Sequence, residues 1–249
     1  MNYWKELAGE FIGTALLVFI GCGAVAISVV YYPLALWQIA LIWSFGVAIA
    51  IYATNTYSFS HLNPAVTLAL SLAKKSEWKK VPAYFLAQLL GAMVASTLLL
   101  LLINKDLAVY ESTIHVVRGD TSSFQSAVMF GEFFSIDVSN IAACLAEGIG
   151  TFTLVLMIFI LTARDYGLNR YIPILIGLTV GAIILVVAPY TQAGLNPARD
   201  FGPRMVAYIG GWGNAAFPIV EWSFLTVYIL APLAGGVVAY FVKSAFGKR

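Results

Sequence analysis

The tripeptide Asn-Pro-Ala occurs twice in this chain, at Asn63-Pro64-Ala65 and at Asn196-Pro197-Ala198. Each copy opens an apolar stretch about half as long as a membrane crossing requires. Proline is tolerated in the first turn of a helix, where its missing N–H has no intrahelical acceptor, and Asn is among the best residues for the cap before it. The sequence therefore writes two helix starts on two half-length segments. Pro64 to Ala73 at 1.5 Å per residue covers about 15 Å, half of the ~30 Å hydrocarbon core, and Pro197 to about Tyr208 is similar. Entering from opposite faces and meeting tip to tip, the pair spans one bilayer.

The rest of the chain is built for lipid. Of 249 residues 61% are hydrophobic and 10% charged, against about 25% charged in soluble domains. Spanning runs are expected at Leu7–Val29, Leu36–Ala53, Val81–Ile103, Ile141–Thr162, Ile172–Ala188 and Phe224–Phe241. The first is too long for a cleaved leader and has no small-residue cleavage site. Ten of the fourteen basic residues (Lys5, Lys74, Lys75, Lys79, Lys80, Arg164, Arg170, Lys243, Lys248 and Arg249) fall on one side of such a six-span topology. That places both termini in the cytoplasm and explains the net charge of +2 without nucleic acid. Cys22 and Cys144 sit inside apolar runs as small packing residues, too few for a zinc or disulfide framework.

The two halves resemble each other. Ala8-Gly9-Glu10-Phe11-Ile12-Gly13-Thr14 answers Leu145-Ala146-Glu147-Gly148-Ile149-Gly150-Thr151; the glutamates are 137 residues apart and the Asn-Pro-Ala copies 133. Three spans per half is odd, so the second copy enters from the opposite face: an inverted repeat, whose working site lies at the repeat interface. Residues 1–249 are expected to form one transmembrane channel domain, with repeat one over about 1–103, an outer connecting loop over about 104–140, and repeat two over about 141–249. Phe130, Phe133 and Phe134 argue that part of that loop packs on the outer mouth. Small residues four apart, such as Gly9 and Gly13, Gly91 and Ala95, and Gly177 and Gly181, let helices approach closely.

Non-helical backbone at membrane depth is tolerated where it lines an aqueous path. The segments before each Asn should thus present the carbonyls of Ser60, His61 and Leu62, and of Ala193, Gly194 and Leu195. Asn63 and Asn196, each capping its own helix, keep an amide NH2 to donate. Such a lining suits a small neutral hydroxylic molecule, while two positive helix ends oppose cations and protons. Arg199, one turn after Asn196, either faces the pathway, as a charge at membrane depth usually does, or is a structural ion pair with Asp200 or Glu221. Glu10 and Glu147 either bind protons in a coupled transporter or accept backbone N–H groups from the neighbouring loop; their symmetry favours the structural role. His61 is a pore-facing polar residue, since the only other histidine, His115, is in the outer loop. No cofactor, metal set or nucleophile–base pair points to an enzyme.

These residues resemble the aquaporin (major intrinsic protein) family over nearly the whole chain, with Gly9-Glu10 in place of Ala-Glu in the first half. The resemblance implies an all-α membrane fold of six spanning helices and two re-entrant half-helices, and a homotetramer with one pore per subunit. Asp200, Arg204 and the pair Pro232-Leu233 are similar to the glycerol-facilitator branch. On that likeness the selectivity filter is Trp43, Ile184, Ala193 and Arg199. Typical glycerol facilitators have Gly and Phe at the positions of Ile184 and Ala193, and water-selective members His at the former, so this chain departs from both. The implied activity is passive passage of glycerol and related small uncharged solutes, such as urea or dihydroxyacetone, together with water, across a cell membrane. A water-preferring channel and a proton-coupled transporter using Glu10 and Glu147 are the rivals.

Overall fold

A computed structural model describes residues 2–163, 169–218 and 222–246. Arg164, Glu221, Lys248 and Arg249 lie outside the described residues. Among the described residues six helices are long and apolar enough to cross a membrane. In chain order they are α1 (Tyr3–Val30), α2 (Leu36–Thr54), α4 (Val81–Thr113), α6 (Asn140–Leu161), α7 (Ile172–Thr191) and the last span, Ser223–Phe246. Between them lie the half-length α3 (Pro64–Leu72) and α8 (Pro197–Ala207) and a four-residue turn, α5 (Phe124–Ala127). The last span starts as α9 (Ser223–Leu225), passes through a π-turn at Thr226–Leu230 and continues as α10 (Ala231–Phe246). Pro232 has no N–H to give to the preceding turn, and the wider π spacing falls on the residues just before it.

The packing has twofold character. In the first half α1 lies on α2 and α4; in the second α6 lies on α7 and α10. Across the halves α2 meets α7, and each half-helix lies on the other half's third span, α3 on α10 and α8 on α4. The close approaches repeat as well. A Cβ on Gly91 would stand 2.2 Å from the Phe11 carbonyl oxygen, and one on Gly235 2.2 Å from that of Gly148. Phe11 and Gly148 are themselves 137 residues apart, so both halves use glycine at the same crossing.

One boundary differs from the expectation. The connecting segment does not begin at 104, because α4 continues to Thr113. Leu107 is fully buried, and Glu111 is buried and accepts two bonds from Arg118 Nε, at 2.9 and 2.8 Å. The helix thus keeps a packed stripe beyond its apolar run. The connection is residues 114–139, and it closes over one end of the bundle; we call this the capped end. The opposite end carries Lys74, Lys75, Lys79 and Lys80.

Candidate functional site

The segments before the two Asn-Pro-Ala copies run in the same conformation. Ser60 and Leu62 in one, Ala193 and Leu195 in the other, have positive φ (49°, 53°, 66° and 56°). For residues with a Cβ this is a disfavoured region that persists only where the surroundings fix it. The glutamates do so. Glu10 accepts from His61 N–H at 2.9 Å and Leu62 N–H at 2.8 Å; Glu147 accepts from Gly194 N–H at 2.8 Å and Leu195 N–H at 2.6 Å. Gln88 Nε2 completes the first set and the Thr191 hydroxyl the second. Every partner named is a donor, so each site suits a carboxylate. Gly13 and Gly150 leave room for the leucines: a Cβ at either would lie 2.4 or 2.6 Å from the Leu62 or Leu195 side chain.

The asparagines then join the halves. Asn63 Oδ1 accepts from Ala65 N–H, and Asn196 Oδ1 from Ala198 and Arg199 N–H, so each oxygen faces its own helix and each NH2 faces away. Asn63 Nδ2 donates to the Leu195 carbonyl at 3.0 Å, and Asn196 Nδ2 to the Leu62 carbonyl at 2.7 Å. This alters two expectations. Only one N–H of each amide is left for another molecule. The Leu195 carbonyl, which also accepts from the Thr151 hydroxyl at 3.3 Å, has both lone pairs engaged and is not open to a solute.

A cavity of about 490 Å³ runs past this junction, bordered by both asparagines and by Ser60, His61, Leu62, Ala193, Gly194 and Leu195. At the lysine-bearing end it is bordered by Lys75, Thr162 and Ile172, and at the other by Trp43, Ile184 and Arg199. A second cavity of about 260 Å³ under the capped end shares those last three residues. Trp43, Ile184 and Arg199 are therefore the partition between two cavities, with Ala193 on the larger one only. The Arg199 guanidinium carbon lies 4.4 Å from the centre of the Trp43 ring. That ring fits because residue 21 is glycine; a Cβ there would lie 2.3 Å from it. The partition so pairs a flat apolar wall with a cluster of N–H donors. The His61 ring sits 5.2 Å from that of Tyr84, with Nδ1 3.2 Å from the Thr67 hydroxyl. Among the described residues no His, Cys, Asp and Glu cluster could hold a metal.

The ionic partners are not those expected. Arg199 borders the cavities and is also ion-paired, and its partner is Glu132 of the capping segment rather than Asp200. Asp200 is taken by Arg204, at 3.1 and 2.7 Å, both side chains fully buried. Arg204 also donates to the carbonyls of Ala216 at 2.6 Å and Glu132 at 2.7 Å, and Asp200 accepts from Glu132 N–H at 2.8 Å. These two residues build the seat of the capping segment. Neither borders the larger cavity, and the same holds for Pro232 and Leu233.

Comparison with known proteins accords with this geometry. A family model described as major intrinsic protein matches residues 1–243. The chain belongs to the major intrinsic protein family. Among its relatives in that family, the glycerol uptake facilitator protein of Haemophilus influenzae is 38% identical over 244 residues, covering 96% of this chain and 92% of that protein. The protein of the same name from Pseudomonas aeruginosa is 40% identical over 238 residues, 94% and 85% of the two chains. A propanediol uptake facilitator of Salmonella typhimurium is 37% identical over 234 residues, 92% and 89%. The X-ray structure of the aquaglyceroporin from Plasmodium falciparum superposes with a TM-score of 0.81 at 29% identity, covering 99% of this chain and 98% of that one. For a major intrinsic protein, Glu132, Gln192 and Gly21 are the site residues that sequence reasoning missed. The aromatic residues around Glu132 were the available signal.

Proposed function

We propose that this chain is a passive channel for glycerol and related small uncharged solutes, and that it also passes water while excluding ions and protons. The observation that carries the reading is the partition of Trp43, Ile184 and Arg199, with Ala193 beside it on the larger cavity, placed in series with the paired asparagines. A polyol has a carbon face and a row of hydroxyls; the indole of Trp43 suits the first and the Arg199 N–H groups the second. Beyond the partition, hydroxyls meet the remaining N–H of Asn63 and of Asn196. A cation there faces about half a positive charge from each of two helix ends. The names of the relatives, facilitators of glycerol and propanediol uptake, agree with a small neutral solute. On this reading the capped end is extracellular, both termini are cytoplasmic in a cell membrane, and four copies form a homotetramer with a pore in each.

The test is stopped-flow light scattering on proteoliposomes under glycerol, water and urea gradients. Fast, non-saturating glycerol entry with no dependence on a pH gradient is expected. Slow glycerol entry beside fast water flow overturns the solute assignment, and saturable uptake that requires a proton gradient overturns the channel.

A further inference from the structure

Glu132 is 3% exposed, lies in the capping segment and borders the cavity under the capped end. Its backbone is held independently of its side chain. The N–H is bound by Asp200 and the carbonyl by Arg204, and the next residue, Phe133, donates its N–H to Gln192 Oε1 at 2.7 Å. Gly131 lies so close to Arg204 that a Cβ would stand 2.8 Å from the guanidinium carbon. With the backbone fixed by others, the carboxylate's ion-pair partner among the described residues is Arg199 Nη2. Arg199 in turn lies over Trp43.

We infer that Glu132 is a positioning residue of the pore: it holds the Arg199 guanidinium against Trp43 and offsets its charge, so that the constriction is a neutral donor–acceptor pair instead of a bare cation. This rests on the channel reading above. The consequence is kinetic. Conduction needs binding favourable enough for entry and weak enough for release. Hydrogen bonds to an ionised donor are about twice as strong as neutral ones, and an uncompensated Arg199 holds each passing oxygen longer than a compensated one. The charged groups around Glu132 are few: Arg199 and Arg204 favour its ionised form, Asp200 and Glu147 oppose it, and burial, the largest influence, pushes the carboxyl up to about 8.

The experiment compares glycerol and water flux through wild-type and Glu132→Gln proteoliposomes from about pH 6 to about pH 9, normalised to incorporated folded protein. The Gln side chain keeps the size and all the backbone bonds and removes only the charge. At the alkaline end the variant should be about fivefold slower for both solutes. With the carboxyl titrating near 8, the wild type should slow toward the variant as the pH falls, while the variant stays flat. A constant fivefold gap at every pH also supports the pairing. No gap at any pH overturns it. In an Arg199→Leu background the Glu132→Gln change should have no further effect, because Glu132 acts through Arg199; an undiminished effect there overturns the proposal. If the Gln variant does not insert, Glu132→Asp carries the test: intermediate flux is expected, and wild-type flux refutes the role. An inactive wild type would count against the channel reading itself.

Discussion

Replacing Glu147 and Glu10 by Gln separates a strut from a proton carrier. At Glu147 one oxygen accepts from Gly194 N–H and the Thr191 hydroxyl, and the other from Leu195 N–H. An amide has one acceptor oxygen; its best fit keeps the first pair of bonds and turns an NH2 toward Leu195 N–H. At Glu10 the same reasoning keeps Leu62 N–H and Gln88 and strands His61 N–H. Each substitution leaves one buried backbone donor unpaired, at about 1–3 kcal/mol. For a domain of this size about 1 kcal/mol corresponds to ~2–4 °C. Each variant should thus unfold roughly 2–12 °C below the wild type when detergent-solubilised protein is heated and followed by circular dichroism. Flux per folded protein should fall at the same time, since the disturbed loops carry the carbonyls that Asn63 and Asn196 bind. If both variants unfold at the wild-type temperature and lose only uptake driven by a pH gradient, the structural assignment is wrong and these carboxylates carry protons.

Three further outcomes are expected. Gly177→Ala would place a Cβ 2.2 Å from the Ser44 carbonyl oxygen, where α7 meets α2, whereas a Cβ on Gly23 meets nothing within 4 Å. The first change should lower the unfolding temperature, by an overpacking penalty of at least about 1–3 kcal/mol, and Gly23→Ala should leave it unchanged or raise it. Asn63→Asp puts a negative charge between two positive helix ends and removes the donor to Leu195; a cation conductance absent from the wild type should appear in planar-bilayer recordings. Ile184→Gly combined with Ala193→Phe gives the proposed filter the Gly and Phe that the resemblance to glycerol facilitators implies. The ratio of glycerol to water permeability, measured in one liposome preparation, should then rise.

The spanning helices are legible because lipid imposes a single strong rule, about 20 apolar residues in a row. Five of the six starts fall within one residue of the expected positions, and the start of α1 is four residues early. The half-helices are legible for a local reason, the Asn cap followed by Pro. The end of α4 was missed because Asn104 to Thr113 is mixed in polarity, and its helix is held by Leu107 and by the pairing of Glu111 with Arg118. The partner of Arg199 was missed for a related reason. Sequence proximity nominates Asp200, yet Arg204 one turn on takes that carboxylate. Glu132, 67 residues away in a segment without periodicity, becomes a candidate only once the chain has folded back over the bundle.

The crossed bonds from Asn63 to Leu195 and from Asn196 to Leu62 have a consequence for biogenesis. Their partners are 132 and 134 residues apart, and α3 rests on α10, the last of the described helices. At ~5–20 residues per second, the first half-helix emerges on the order of ten seconds before its mate. During that interval the Leu62 carbonyl lacks its Asn196 donor and the Asn63 NH2 lacks its Leu195 acceptor. Completion of the first half is therefore a late event in synthesis, and truncation anywhere before α10 removes support from residues made long before.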